Sequence, residues 1–276
     1  MTPPVDKVYV TGGASGIGLK VAQLFAERGA DVAIFDLRPT PEAVQAIEGA
    51  RRAPGQQVRS YALDVADAQQ AMDIFRTAAA EFGPPALVFN SAGVGGFTRP
   101  FEEYPLDRFE AMVRVNLLGS RNVAAAVLPL MRPGGKLVLV ASLAGLVTAY
   151  GYSGYAASKH GVVGLAGVLR VECKPKGIDV SVVCPPEIDT PMVRQERPTR
   201  PPESHAMKMV AGVVDLDAGC RYVVDRALRG QFLIIPGARA RFTWLMQKVL
   251  PRAVINAMAD RMIARVRARI ARQRPA

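Results

Sequence analysis

Ser142, Tyr155 and Lys159 stand within one short stretch of the sequence, SLAGLVTAYGYSGYAASK. Lys159 follows Tyr155 by four residues, about one helical turn, so the phenol and the ammonium would share one helix face. A positive charge beside a phenol favours the phenolate and lowers its pKa. This would make Tyr155 a proton donor and acceptor near neutral pH. Because such spacing is common on ordinary helices, it does not by itself show that Tyr155 and Lys159 are catalytic. Other motifs in the chain are needed to support that role.

A glycine-rich turn near the start of the chain predicts a phosphate site. The β-branched run of residues 7–11 ends in the turn GGASGIG, and an apolar helix pattern follows. Glycines let the backbone approach a phosphate, and a helix N-terminus supplies free N–H groups with partial positive charge. We therefore expect a dinucleotide pyrophosphate to bind at Gly12, Ser15, Gly16, Ile17 and Gly18.

The acid that ends the second predicted strand bears on the choice of dinucleotide. Asp36 follows the run VAIF, where a carboxylate accepts hydrogen bonds from ribose hydroxyls and repels a 2′-phosphate. This favours NAD(H). Arg38, two residues later, is able to pair with a phosphate and keeps NADP(H) open as the alternative.

The alternation of strand and helix patterns predicts the fold class. Parallel strands joined by helices imply an α/β fold, a Rossmann-type doubly wound sheet of seven parallel strands. Ligands of such sheets bind outside the carboxyl ends of the strands, and Ser142 directly follows the fifth. The charged, proline-rich segment 192–214 has the composition of a mobile substrate lid. Strands are predicted at residues 7–11, 32–35, 58–63, 86–89, 136–141, 179–183 and 232–235.

Four separated motifs occur in order: TGGASGIG, NSAG, Asn116 within VNLLGS, and Ser142 followed by YAASK. With this order and spacing, the sequence from Lys7 to about Gly237 resembles the classical short-chain dehydrogenase/reductase family. The resemblance implies an NAD(P)(H)-dependent oxidoreductase that interconverts a ketone and a secondary alcohol.

The resemblance also implies roles for the matched residues. Tyr155 would exchange a proton with the substrate oxygen, Lys159 would lower the tyrosine pKa and hold the nicotinamide ribose, and Ser142 would hydrogen-bond the substrate oxygen. Asn116 would hold a water in the proton relay. Other cofactor contacts implied are Asp64 and Val65 at the adenine, Asn90, Ala92 and Gly93 along the cofactor, and Pro185, Pro186, Ile188 and Thr190 at the nicotinamide amide.

A closer resemblance rests on the segments VECKP, PPEIDTP and ERPTRPPE. They are similar to those of 3-ketodihydrosphingosine reductases, which reduce the ketone of a long-chain amino alcohol with NADPH. Asp36 departs from that cofactor choice. We therefore expect a long-chain or lipid-like substrate. A dehydrogenase for a soluble small alcohol or ketone, and a non-catalytic nucleotide-binding scaffold, are the alternatives.

The last part of the chain is basic and amphipathic. Residues 239–276 contain ten Lys and Arg residues and one acid, whereas the whole chain has a net charge of +11. Apolar residues recur every three or four positions, and Pro251 separates two helical pieces. We expect a catalytic domain at 1–238 and a helical tail at 239–276. The tail would bind an anionic membrane surface, or it would pack on the core or a second subunit.

The cysteines, the first residues and the aromatic content of the tail limit which partners and which location we expect. Three cysteines without metal-ligand spacing indicate a reduced compartment and no metal site. The first residues lead directly into a strand, so we expect no signal peptide and a cytoplasmic location, with a peripheral position at the inner face of a membrane as the alternative. The tail has two aromatic residues and no recognisable nucleic-acid-binding motif, so we expect no nucleic-acid partner. We expect a homo-oligomer.

Overall fold

A computed structural model describes residues 5–273 of the chain. Seven parallel strands form one sheet in the order β3-β2-β1-β4-β5-β6-β9, which confirms the predicted doubly wound sheet. The strand order reverses between β1 and β4, and such a reversal opens a ligand crevice at the carboxyl ends. The strands are β1 Lys7–Thr11, β2 Asp31–Asp36, β3 Val58–Ala62, β4 Leu87–Asn90, β5 Lys136–Val140, β6 Asp179–Val183 and β9 Leu233–Ile234.

Helices cover both faces of the sheet and enclose two apolar clusters. On one face, Tyr9 and Phe35 of the sheet stack with Phe75 of the third helix. The second cluster lies between the sheet and the first, second and ninth helices. The helices are α1 Gly16–Ala26, α2 Pro41–Glu48, α3 Ala68–Phe82, α4 Leu106–Met112, α5 Gly119–Val127, α6 Ser153–Cys173, α7 Pro191–Glu196, α8 Pro202–Ala211, α9 Leu216–Leu228, α10 Ala238–Val249 and α11 Arg252–Gln273.

The segment predicted to be a lid has more regular structure than its composition indicates. It contains α7 and α8, and two short strands pair beside it, β7 Glu187–Ile188 with β8 Val213–Val214. The prolines at 191 and 202 stand at the first positions of these helices, where the missing N–H would have no helical partner. Prolines 191 and 202 therefore begin helices in and next to the lid segment.

The two predicted pieces of the tail are α10 and α11, separated at Pro251 as expected. Both helices pack against α8 of the lid segment. The Arg267 guanidinium on α11 bonds the Glu203 carboxylate at 3.1 Å and the Tyr150 hydroxyl at 3.1 Å. Among the helices of residues 5–273, none combines the length and apolarity needed to cross a membrane. The division into two domains at 238/239 stays a prediction.

Candidate active site

One cavity of about 930 Å³ opens at the carboxyl ends of the sheet strands. Its walls come from the glycine-rich turn, the ends of β4 and β5, the start of α6, the lid segment and both tail helices. Gly18, Arg38, Asn90 and Asn116 lie outside the lining. The predicted site residues that line it are Gly12, Ser15, Gly16, Ile17, Asp36, Asp64, Val65, Ala92, Gly93, Ser142, Tyr155, Lys159, Pro185, Pro186, Ile188 and Thr190.

The glycine-rich turn has the geometry that a pyrophosphate requires. Gly12 and Gly16 have φ values of +64° and +54°, which side chains disfavour. A Cβ on Gly18 would lie 2.0 Å from the Gly12 carbonyl oxygen, so a side chain cannot fit there. The Ser15 side chain makes no cap hydrogen bond at the start of α1, which leaves the first N–H groups for an anion. These residues fit a dinucleotide cofactor.

Asp36 lies in the cavity wall beside this turn. Its carboxylate accepts hydrogen bonds from the N–H groups of Ala14 and Arg38, each at 3.1 Å. These bonds hold the charge at the end of β2, where a ribose would lie. The Arg38 side chain is exposed outside the lining.

Asn90 and Asp64 differ in their relation to the cavity. Asn90 is 1% exposed; its Oδ1 accepts from the Thr11 hydroxyl at 2.6 Å, and its Nδ2 donates to the Ser120 hydroxyl at 3.0 Å. Asn90 therefore joins β1 and β4 to α5 beneath the wall, and Ala92 and Gly93 form the surface above it. Asp64, in contrast, lines the cavity after β3.

Tyr155 and Lys159 lie on α6 and face Ser142, which follows β5. The Lys159 Nζ donates to the Val140 carbonyl at 3.0 Å and lies 5.7 Å from the centre of the Tyr155 ring. Ser142 forms a hydrogen bond with the Tyr155 hydroxyl that favours the phenolate. The serine, tyrosine and lysine singled out by spacing thus meet at one end of the cavity.

The pKa shifts of Tyr155 and Lys159 differ from the expectation that Lys159 lowers the Tyr155 pKa. Burial raises the pKa of Tyr155 to about 12, and the bond from Ser142 only partly offsets it. Burial also lowers the pKa of Lys159 to about 8. The loss of solvent therefore dominates both shifts, and the phenol keeps its proton at neutral pH. The shift at Tyr155 is thus opposite in direction to the expected one, and the lowering of its pKa by Lys159 stays a prediction.

Asn116 lies behind the cavity in a π-helical turn, Val113–Leu118, between α4 and α5. Its Oδ1 accepts from the Val94 N–H at 2.8 Å, and its Nδ2 donates to the Val94 carbonyl and the Ser158 hydroxyl, both at 3.0 Å. It therefore joins the loop after β4 to α6 next to Lys159. The predicted role in holding a water stays a prediction, because these side-chain bonds all go to protein groups.

The loop after β6 closes the cavity opposite the glycine-rich turn. The Pro185 carbonyl accepts from the Leu143 N–H at 2.8 Å, and Thr190 is buried at the start of α7. A Cβ on Gly16 would lie 3.5 Å from Thr190, so the loop contacts the turn directly. The expected contacts of Pro185, Ile188 and Thr190 with a nicotinamide amide stay a prediction.

Two parts of the lining were not identified as site residues from the sequence. One is a set of charges in and next to the lid segment, the buried Glu187 and Glu196 and the partly buried Lys208. The other is the tail, whose partly buried apolar side chains form an outer wall; they include Met246, Ile255, Met262 and Ile263. The helical spacing of apolar tail residues was the available signal, but it does not show which surface they face.

The chain matches the family model described as short chain dehydrogenase over residues 6–201. It is 34% identical over 230 residues to a 3-dehydrosphinganine reductase of Danio rerio, covering 82% of this chain and 69% of the relative. It is 30% identical over 226 residues to a D-beta-hydroxybutyrate dehydrogenase of Cupriavidus necator, covering 81% and 84%.

Among solved structures, levodione reductase superposes with a TM-score of 0.74 at 29% identity, covering 84% of this chain and 96% of that one. The glycine-rich turn, the Ser142, Tyr155 and Lys159 group and the parallel sheet agree with this similarity. The chain therefore belongs to the short chain dehydrogenase family and is an NAD(P)-dependent oxidoreductase that interconverts a ketone and a secondary alcohol.

Proposed function

We propose that this enzyme reduces a ketone on a long-chain, lipid-like substrate of the 3-ketosphinganine type. The observation that carries the proposal is the extension of the cavity from Tyr155 to the apolar side chains of α10 and α11. An alkyl chain that leaves the reaction centre would meet Met246, Ile255 and Ile263. Each buried methylene contributes about 0.8 kcal/mol, so such a wall favours long chains. The similarity to a 3-dehydrosphinganine reductase supports the same substrate class.

In this proposal the proton chemistry is performed by residues of α6 and the end of β5. The bound nicotinamide supplies or accepts the hydride. The Tyr155 hydroxyl gives its proton to the substrate oxygen, and its raised pKa keeps that proton in place until transfer. Ser142 donates a hydrogen bond to the same oxygen, and the Lys159 ammonium stabilises the phenolate that forms. Asn116 holds the loop and helix that position these groups.

We propose NAD(H) as the preferred cofactor. The Asp36 carboxylate is held at the ribose end of the turn by two backbone N–H groups, and there it would repel a 2′-phosphate. NADP(H) is the alternative, in which Arg38 would turn towards the phosphate.

We propose that the tail also binds an anionic membrane surface from the cytoplasmic side. Phe242, Leu245, Val249 and Met258 are exposed on the same two helices that carry the excess of arginines. Each basic residue near an anionic surface contributes on the order of 1 kcal/mol. The three cysteines, all buried free thiols, are consistent with a reduced compartment. Co-sedimentation with phosphatidylserine vesicles should fall when salt is raised, and salt-independent binding would contradict the proposal.

A homo-oligomer is also proposed. Leu118 is 49% exposed, and Val168 and Val171 on α6 are 56% and 66% exposed. Burying such side chains against a second copy would remove apolar area from water. Light scattering after size-exclusion chromatography tests this, and a monomer at micromolar concentration would contradict it.

Turnover of 3-ketodihydrosphingosine with NADH and NADPH in parallel tests the proposed function. Turnover should be seen with at least one cofactor and should be faster with NADH. A second candidate, a dehydrogenase of a small soluble hydroxy acid, is supported by the similarity to D-beta-hydroxybutyrate dehydrogenase. Turnover of 3-hydroxybutyrate together with inactivity on the long-chain ketone would favour that candidate.

A further inference from the structure

A largely buried polar group joins the lid segment to neighbouring elements, and we call it the lid cluster: Tyr152, Glu187, Glu196, Arg200 and Lys208. Glu196 Oε1 accepts from the Tyr152 hydroxyl and from Arg200 Nε at 3.1 Å. Arg200 Nη1 lies 2.7 Å from Glu187 Oε2. The cluster therefore joins β7, the end of α7, the start of α6 and α8 into one unit.

The cluster lies beside the reaction centre. The Tyr152 ring meets the Tyr155 ring edge-on, with 6.0 Å between the ring centres. Tyr152, Glu187, Glu196 and Lys208 all line the cavity, as do apolar side chains of the tail. A substrate with its ketone at Tyr155 and its chain along the tail would therefore present its short end to the lid cluster.

The Glu196 carboxylate has unused hydrogen-bonding capacity. The four hydrogen bonds to Glu196 all end on Oε1, and none within residues 5–273 ends on Oε2. Glu187, in contrast, is 9% exposed and its Oε2 is held 2.7 Å from Arg200 Nη1, so the open position is Glu196 Oε2. Leaving a buried carboxylate oxygen unpaired is unfavourable. A ligand with N–H or O–H donors would supply the missing bonds.

Lys208 is the most loosely held cation of the cluster. Its Nζ lies 3.5 Å from Glu187 Oε2 and 3.5 Å from Glu196 Oε1, and burial lowers its pKa. A ligand ammonium able to approach at ordinary hydrogen-bond distance would compete well for these oxygens. The charge balance therefore allows either a cationic or a neutral donor group to bind.

Resting on the function proposed above, we propose that Glu196 and Tyr152 form a head-group subsite for an ammonium or hydroxyl group within two carbons of the reacting ketone. The carboxylate accepts from this group, while the ketone oxygen lies at Tyr155 and Ser142. The subsite would distinguish amino-alcohol ketones from plain ketones of equal length.

Three ketones of equal chain length test the subsite: 3-ketodihydrosphingosine, 1-hydroxyoctadecan-3-one and octadecan-3-one. In the wild-type enzyme, loss of the recognised group should lower kcat/KM roughly tenfold or more, as expected for a charge-assisted hydrogen bond. A fall from 3-ketodihydrosphingosine to 1-hydroxyoctadecan-3-one would show that the ammonium is bound. A fall from 1-hydroxyoctadecan-3-one to octadecan-3-one would show that the hydroxyl is bound. Glu196→Gln should raise KM for 3-ketodihydrosphingosine by a similar factor and leave octadecan-3-one within about twofold.

Glu172→Gln is the matched control, because Glu172 is exposed on α6 and does not line the cavity. It should leave all three ketones unchanged. Equal losses on all three ketones in Glu196→Gln would show a structural role and overturn the subsite. If that variant does not fold, the wild-type series decides: equal kcat/KM for all three overturns the subsite but leaves the proposed function intact. If the enzyme turns over none of the three ketones, both the subsite and the proposed function are overturned.

Discussion

The cofactor half and the substrate half of the cavity are built in different ways. The cofactor half consists of short-range backbone features: the turn after β1, with Gly12 and Gly18, and Asp36 at the end of β2. The substrate half is assembled from distant segments, among them Glu196 on α7 and Ile255 on α11. The first half depends on local sterics and the second on how separate helices pack.

This difference predicts that the two functions of the cavity can be separated by mutation. A change in the turn should affect every substrate equally, because each reaction needs the cofactor. A change in the tail should affect substrates according to chain length. Tyr155 lies where the two halves meet, and its loss should affect all turnover.

The largest effect is expected for Tyr155→Phe, which removes the proton donor and leaves the ring. Turnover should fall by roughly 10²–10⁴-fold, the usual contribution of a positioned general acid. NADH binding, followed by the change in cofactor fluorescence, should stay nearly intact. Full activity in this variant would contradict the assigned mechanism.

Gly18→Ala should next disrupt the cofactor half. The new Cβ would lie 2.0 Å from the Gly12 carbonyl oxygen, and such overpacking costs about 1–3 kcal/mol. The dissociation constant for NADH, measured by titration, should rise with all substrates affected alike. Gly164→Ala on α6 is the control, since no atom lies within 4 Å of its Cβ position. Unchanged NADH binding in Gly18→Ala would show that the turn does not hold the pyrophosphate.

Ile255→Asn should affect only the substrate half. Ile255 lines the cavity from α11, whereas its neighbour Val254 is 43% exposed and outside the lining. Burial of an isoleucine contributes about 1.5–3 kcal/mol, so kcat/KM for an eighteen-carbon ketone should fall about tenfold or more. A six-carbon ketone should be unaffected. Val254→Asn should leave both substrates unchanged, and equal effects of the two variants would contradict the role of the tail.

Asp36→Ala should give the smallest change, a shift in cofactor preference towards NADPH. Removing one charge near a phosphate is worth about 1 kcal/mol at 4 Å in water, roughly fivefold in the NADPH to NADH ratio of kcat/KM. Glu42→Ala, an exposed acid at the start of α2, is the control. An unchanged ratio in Asp36→Ala would mean that another residue sets the preference.

The cofactor half could be predicted because its signals are local. The β-branched run of β1, the glycines after it and the Asp67 cap of α3 all act within a few residues of the structures they determine. Position 142 follows a strand end at the shared edge of the parallel sheet, and positions 155 and 159 share one face of α6. The Tyr155 pKa could not be predicted in the same way, since it depends on burial by the whole fold.

The substrate half could not be predicted to the same depth. Apolar spacing indicated helices α10 and α11, but only tertiary packing directs Ile255 into the cavity. Glu196 and Tyr152 are 44 residues apart in sequence, and nothing local indicates that they meet. The π-helical turn at Asn116, which packs against α6, likewise corresponds to no sequence pattern.

The dependence of kcat/KM on alkyl chain length in the wild-type enzyme tests the central claim most directly. A series of 3-keto substrates that differ only in chain length would be measured with saturating NADH. If the cavity holds the chain against the tail helices, kcat/KM should rise up to about fourfold per added methylene, about 0.8 kcal/mol each, until the apolar wall is filled. A kcat/KM that stays constant, or falls as the chain lengthens, would contradict a long-chain substrate.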